Sequence, residues 1–282
     1  MMTETDLVLP DGATLHVYDT HAADDETADL VVVWNHGSPN IGAPPRPLFP
    51  VSAKLGIRWI SYDRPGYGGS TPAPDRDIAS AASYTAAVTD HLGVSRFATM
   101  GHSSGGAYAL ACGALLAERV SGVVSISTMA PYASEGLDWF AGFASAGARS
   151  LRAATRGRAA REAYDAAGVE EKDIGFTESD EAALAGPWSW FLEVVGPALE
   201  SGPEPMIEDN LAAIRPWGFD VTQVAPPTLV VHGGRDRVVP SSHGEYLARR
   251  IPSAELWLRP EDGHITIMEA GAAALNWLVE RA

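Results

Sequence analysis

Short apolar runs recur along the chain: LVVVW (30–34), IRWIS (57–61), RFATM (96–100), VVSIS (123–127), TLVVH (228–232) and AELWL (254–258). Each has the length of a strand, and several lack apolar/polar alternation, as expected where both faces of a parallel sheet are covered. Most neighbours are spaced near the roughly 30 residues of a βαβ unit, but about 105 separate the fourth run from the fifth. The excess has helical patterns of its own in LDWFAGFASAG, RSLRAATRGRAAREAYDAA and EPMIEDNLAAIR, the last stopped by Pro216. Before the first run, DLVLPDGATLHVYDT holds two β-like segments about Pro10-Asp11-Gly12, which predicts an antiparallel hairpin. The expected class is α/β: a mostly parallel sheet with an antiparallel N-terminal hairpin and flanking helices. Residues 1–131 and 219–282 would form this core, and 132–218 a helical cap inserted into it.

Charge narrows the partners. The 36 acidic residues outnumber 20 basic ones for a formal net charge of −16, which repels nucleic acid and anionic membrane surfaces. A small-molecule substrate is expected, with neither nucleic acid nor a membrane as partner. The single Cys112 excludes an internal disulfide, and MMTETDLVLPDG lacks the basic and apolar regions of a signal peptide. A cytoplasmic location follows as an expectation. The uncharged stretch 97–117 reaches membrane-spanning length, but Gly101-His102-Ser103-Ser104-Gly105 interrupts it, so it reads as strand, turn and buried helix. No residue cluster has metal-ligand spacing, and the glycines of GYGGS make no dinucleotide fingerprint, so no cofactor or metal is expected.

The interruption itself carries chemistry. It fits G-x-S-x-G centred on Ser103, between a strand and a helix. A sharp turn there brings strand and helix so close that positions two before and two after the serine cannot carry bulk. Gly101 and Gly105 meet that demand around Ser103, whereas centring on Ser104 would place His102 at one of them. Ser103 is the candidate nucleophile, and Ser104 would lend its backbone N–H to an oxyanion hole.

A serine hydroxyl needs a histidine base oriented by a carboxylate. His264, in RPEDGHITI, follows the last apolar run, and Asp236, in VVHGGRDRVVP, follows the one before, so both fall at the carboxyl edge of the expected sheet. The other histidines stand in the N-terminal segment, at helix ends or beside turns, where structural roles are expected. VWNHGSPN ends the first parallel run; Ser38 is the second candidate oxyanion donor, because Pro39 has no N–H, and His36 would brace that loop. YDRPGYGGS reads as a scaffolding turn around Asp63.

Taken in order, H-G-x-P at 36–39, D-R-P-G-Y-G-x-S at 63–70, the elbow at 101–105, G-x-x-D-x-x-x-P ending at Pro240 and G-H at 263–264 resemble the α/β-hydrolase superfamily. The resemblance covers residues 1–131 and 219–282. It implies Ser103 as nucleophile, Asp236 as acid, His264 as base, and Ser38 and Ser104 as oxyanion donors. Serine at the elbow departs from the dehalogenase and epoxide hydrolase branches, which carry aspartate there.

The inserted segment is rich in aromatics. Most are expected to anchor cap helices to the core; Trp188, Trp190, Phe191 and Trp217 are the candidates for an apolar substrate pocket. Arg149, Arg152 and Arg156 share a helical face that is expected to be solvated, pairing with Glu170, Glu171 and Asp173. The expected activity is hydrolysis of an ester, thioester or lactone of a small-to-medium apolar molecule through an acyl-enzyme. A proline iminopeptidase-like aminopeptidase is the alternative, with Glu193 as its ammonium-binding carboxylate; a cofactor-free perhydrolase and a non-turnover ligand receptor rank below it.

Overall fold

Eight strands join in one sheet in the computed structural model of the protein, which describes residues 2–20, 28–168 and 172–281. They are β1 (Thr3–Val8), β2 (Thr14–Asp19), β3 (Leu30–Asn35), β4 (Ile57–Tyr62), β5 (Phe97–His102), β6 (Val120–Ile126), β7 (Thr228–Gly233) and β8 (Ala254–Arg259), in spatial order β1-β2-β4-β3-β5-β6-β7-β8. The β1–β2 hairpin turns at the anticipated Pro10–Gly12 and joins the sheet antiparallel through β2 and β4; every later pairing is parallel. Strands β5, β6 and β7 are buried along their whole length, which is why their sequences show no alternation.

Flanking helices are α1 (Phe49–Lys54), α2 (Ser80–His91), α3 (Ser104–Leu115), α9 (Ser241–Arg250) and α10 (Gly271–Val279). Successive strand residues point to opposite faces, so the sheet divides the core. Val33 and Ile60 pack with α2, α3 and α9, whereas Val32, Trp34 and Trp59 pack with α1 and α10. Between β6 and β7 lie α4 (Ser145–Ala154), α5 (Arg158–Ala166), α6 (Glu178–Leu184), α7 (Trp190–Glu200) and α8 (Glu204–Ile214). The run RSLRAATRGRAAREAYDAA, which reads as one helical pattern, breaks into α4 and α5 at Gly157, whose φ of +98° suits glycine alone. Among the described residues no helix is long and apolar enough to cross a membrane.

Candidate active site

Ser103 occupies the turn between β5 and α3 with φ +57° and ψ −129°, a conformation few non-glycine residues adopt. Its N–H donates to the Ile126 carbonyl at 2.9 Å, and its neighbours allow no alternative. A Cβ on Gly101 would stand 2.1 Å from the Gly105 carbonyl oxygen, and one on Gly105 2.0 Å from that of Asn35. Ser104, by contrast, is the first residue of α3, and its hydroxyl lies 2.9 Å from the Ser38 hydroxyl.

His264 and Asp236 follow β8 and β7, and His264 Nδ1 lies 2.7 Å from Asp236 Oδ2. The second Asp236 oxygen accepts the N–H groups of Val238 and Val239 at 2.9 and 2.8 Å. Burial pushes the Asp236 carboxyl up, but the adjoining His264 ring, with His232 and the Val239 N–H, outweighs it and holds the group below the usual range. His102 donates Nε2–H to the His264 carbonyl oxygen at 2.8 Å, and their rings stand 4.7 Å apart. Burial and the His264 ring push the His102 pKa down to about 3, so it packs as a neutral ring.

Asp180, on α6, went unnoticed in the sequence. Fully buried, it accepts the N–H groups of His264 at 3.2 Å and of Ile265 and Thr266 at 2.9 Å each. Its only sequence signal is Thr177-x-x-Asp180, which reads as a capping box and forms one. The approach also explains Gly263, where a Cβ would lie 2.0 Å from an Asp180 oxygen.

The loop after β3 completes the opposite wall. His36 donates from Nδ1 to the Gly37 carbonyl at 2.8 Å and accepts the Arg64 N–H on Nε2 at 2.9 Å; burial first, and the Arg64 charge second, hold it neutral. No acceptor among the described residues takes the backbone N–H of Ser38 or Ser104. The Ser38 hydroxyl turns away, donating to Asp209 on α8. Asp209 is the hub of a buried cluster that sequence reading also missed. It pairs with Arg64 at 2.8 Å and Arg76 at 2.6 Å and accepts the hydroxyls of Tyr67 at 2.9 Å and Tyr108 at 3.0 Å. Burial raises its carboxyl pKa, but the two guanidiniums overcome that and hold the group ionised. Arg64 reaches on to the Gly37 carbonyl at 3.0 Å, tying α8 to the loop.

Ser103, His264, Ser38 and His102 face one cavity of about 280 Å³, walled mainly by Phe176, Leu184, Phe191, Leu192, Val195 and Ile265. Asp63, as expected, is scaffold: it accepts the N–H groups of Gly42 and Gly69 at 2.5 and 3.0 Å.

A sequence model of the α/β-hydrolase fold matches residues 31–271. The chain belongs to the α/β-hydrolase fold family. It is 29% identical over 217 residues to the dihydrolipoyllysine-residue acetyltransferase component of an acetoin cleaving system from Pseudomonas putida, covering 76% of this chain and 53% of that protein; it spans about half the length of this relative. Two solved structures share the fold. A thermophilic esterase from Thermogutta terrifontis superposes with a TM-score of 0.69 at 24% identity, covering 99% of this chain and 98% of the other. The enol-lactonase from Burkholderia xenovorans LB400 gives 0.68 at 22% identity over 98% of each chain.

Of the four aromatic residues expected to form the pocket of this α/β hydrolase, Phe191 lines the cavity and three tryptophans do not. Trp188 and Trp190 are buried in the core layer of Trp34, with the Trp34 and Trp190 rings 6.4 Å apart, and Trp217 is buried in the opposite layer beside Phe219. Large rings bury more area as anchors than as cavity walls, and these three hold the inserted segment to the sheet. Arg149, Arg152 and Arg156 are exposed, as expected of a solvated face. Arg152 lies over the Phe140 ring at 4.0 Å, and Asp173, expected to pair with that face, pairs with Arg237 at 2.7 Å instead. Glu170 and Glu171 lie outside the described residues, as does His21. Glu193, half exposed, pairs with Arg46 on the surface and lies outside the cavity lining.

Proposed function

We propose that this α/β hydrolase is a serine hydrolase acting on an ester, thioester or lactone of a small-to-medium apolar molecule. In this reading His264 Nε2 takes the proton of Ser103 Oγ as that oxygen attacks the acyl carbon. The N–H groups of Ser38 and Ser104 hold the resulting oxyanion, and Asp236 keeps the ring tautomer and balances the imidazolium. The imidazolium returns its proton to the leaving oxygen or sulfur, leaving Ser103 acylated. Water, activated by the same ring, then releases the acid. Residues 132–218 act as the cap, their α6 and α7 supplying most of the apolar wall.

One observation carries the proposal: the buried Asp236–His264 pair opens onto the same apolar cavity as a serine held at a glycine-flanked, positive-φ turn. The cavity lining includes no Asp, Glu, Lys or Arg, so a substrate ammonium would be buried without a counter-charge. That favours an ester over an aminopeptidase substrate. The test is fluorophosphonate labelling with peptide mapping, beside a panel of p-nitrophenyl acyl esters and aminoacyl anilides. The adduct is expected on Ser103, turnover on apolar esters, and none in Ser103→Ala; an adduct elsewhere, or anilides preferred to esters, overturns the reading.

A further inference from the structure

Besides the Ser103 hydroxyl, one polar side chain lining the cavity has no hydrogen-bond partner among the described residues. Asn40 is 5% exposed and lines the space shared by Ser103 and His264, yet neither end of its carboxamide meets a donor or acceptor among the described residues. A carboxamide brings two donors and an acceptor oxygen, and this one is not sealed in the core as the unpaired Trp34 and Ser61 groups are, so it opens onto the cavity. Its backbone is pinned on the C-terminal side. The Ile41 N–H donates to the Val194 carbonyl on α7 at 2.9 Å, and the Gly42 N–H to Asp63 Oδ1 at 2.5 Å. On the N-terminal side, Arg64 holds the carbonyls of His36 and Gly37.

The amide is placed at the reacting centre. The point where a Cβ on Gly37 would stand is 3.3 Å from Asn40 Nδ2 and 3.4 Å from Ser103 Cβ, so amide and serine flank the same spot. The Gly37–Ser38 peptide, whose N–H is free, adjoins it. The cavity around them is otherwise mostly apolar, and a negative oxygen forming at Ser103 meets there the N–H groups of Ser38 and Ser104 and, beside them, this amide. We propose that Asn40 is a third oxyanion donor, its Nδ2–H hydrogen-bonding the acyl oxygen as it gains charge; this rests on Ser103 being the nucleophile. With no protein group fixing the amide orientation, an incoming oxygen selects the N–H end. No proton is transferred: Asn40 supplies a dipole that strengthens as the carbonyl becomes tetrahedral.

The experiment compares wild type, Asn40→Leu and Asn40→Asp on one apolar p-nitrophenyl ester, together with inhibition by a trifluoromethyl ketone, whose serine adduct carries the same oxyanion. Asn40→Leu is expected to lower kcat by about ten- to a hundredfold with KM within about threefold, and to weaken the ketone in parallel. Asn40→Asp keeps the shape but presents a negative charge, so it should lose more. It also serves if the leucine variant fails to fold, with thermal unfolding as the check on both. Wild-type kcat and ketone affinity in a folded Asn40→Asp variant, or a change confined to KM, overturns the proposal while leaving the serine reading intact. Hydrolysis persisting in Ser103→Ala removes both.

Discussion

The backbone N–H of His264 donates to the carboxylate of Asp180 at 3.2 Å, so a helix of the inserted segment holds the loop of the proposed base. With Ile265 and Thr266 donating to the same group, Asp180 fixes the backbone on which the imidazole is mounted. The proposed cap is then part of the catalytic geometry as well as a cover.

That relationship has a pH signature. Burial raises the Asp180 carboxyl, but the N–H groups of Thr177, Thr266 and Ile265 outweigh it and hold its pKa below the ordinary value. A carboxylate depressed in the folded state stabilises above its unfolded pKa, near 4, and that contribution is lost as pH falls through the lower folded value. Asp180→Asn should cost about 2–3 kcal/mol at neutral pH, because an amide cannot accept on both sides. In urea unfolding, the gap from wild type should narrow as pH falls below about 4. Equal stability at neutral pH, or a gap indifferent to acid, contradicts this account of the contact.

Asp209→Ala tests the second tie between α8 and the core. Removing the carboxylate leaves Arg64 and Arg76 buried without a counter-charge, which costs about 3–5 kcal/mol. Because Arg64 also holds the Gly37 carbonyl, activity should fall as well. A variant within about 1 kcal/mol of wild type, the worth of an exposed pair, would show that water reaches the cluster.

Much of this site was legible because its backbone demands leave local marks. Gly101 and Gly105 flank Ser103 at fixed offsets since strand and helix cannot otherwise approach, Asp236 follows the apolar run of the fully buried β7, and His264 follows that of the edge strand β8. Asp209 leaves no such mark, and Asp180 only a capping-box pattern that says nothing of His264. Each acts on residues distant in sequence, and in ESDEAAL and EPMIEDNLAAI an acid on a helix reads as solvated. Trp188, Trp190 and Trp217 were ambiguous for another reason: an aromatic ring suits an anchor and a cavity wall equally, and only packing separates the two.

The pairing of Glu193 with Arg46 separates the two enzyme readings. Glu193→Gln removes an exposed pair outside the cavity lining, so ester turnover should stay within about twofold and stability within about 1 kcal/mol of wild type. Steady-state kinetics and thermal unfolding check both, and a large, selective loss on aminoacyl anilides would restore the aminopeptidase.

Asp236 is the residue on which the proposed mechanism turns most sharply, because its burial makes its charge consequential. One oxygen receives the His264 ring N–H and the other the N–H groups of Val238 and Val239, so the carboxylate is fixed and His264 Nε2 is left free to accept a proton. Asp236→Asn keeps the shape but turns an amide N–H₂ toward the ring or toward the loop N–H groups, which favours the wrong imidazole tautomer and leaves the imidazolium without a counter-charge. The expected loss is about four orders of magnitude in kcat with the fold retained. Fluorophosphonate labelling of Ser103 should slow in parallel, since it depends on the same proton transfer. An acid placed after β6 instead would have to be one of the first carboxylates there, Glu135 or Asp138; among the described residues neither holds a contact with His264, so Glu135→Gln and Asp138→Asn should stay near wild type. If Asp236→Asn retains more than about a tenth of wild-type kcat, against that expected loss, while one of those two variants is inactive, the acid of this hydrolase follows β6 instead of β7.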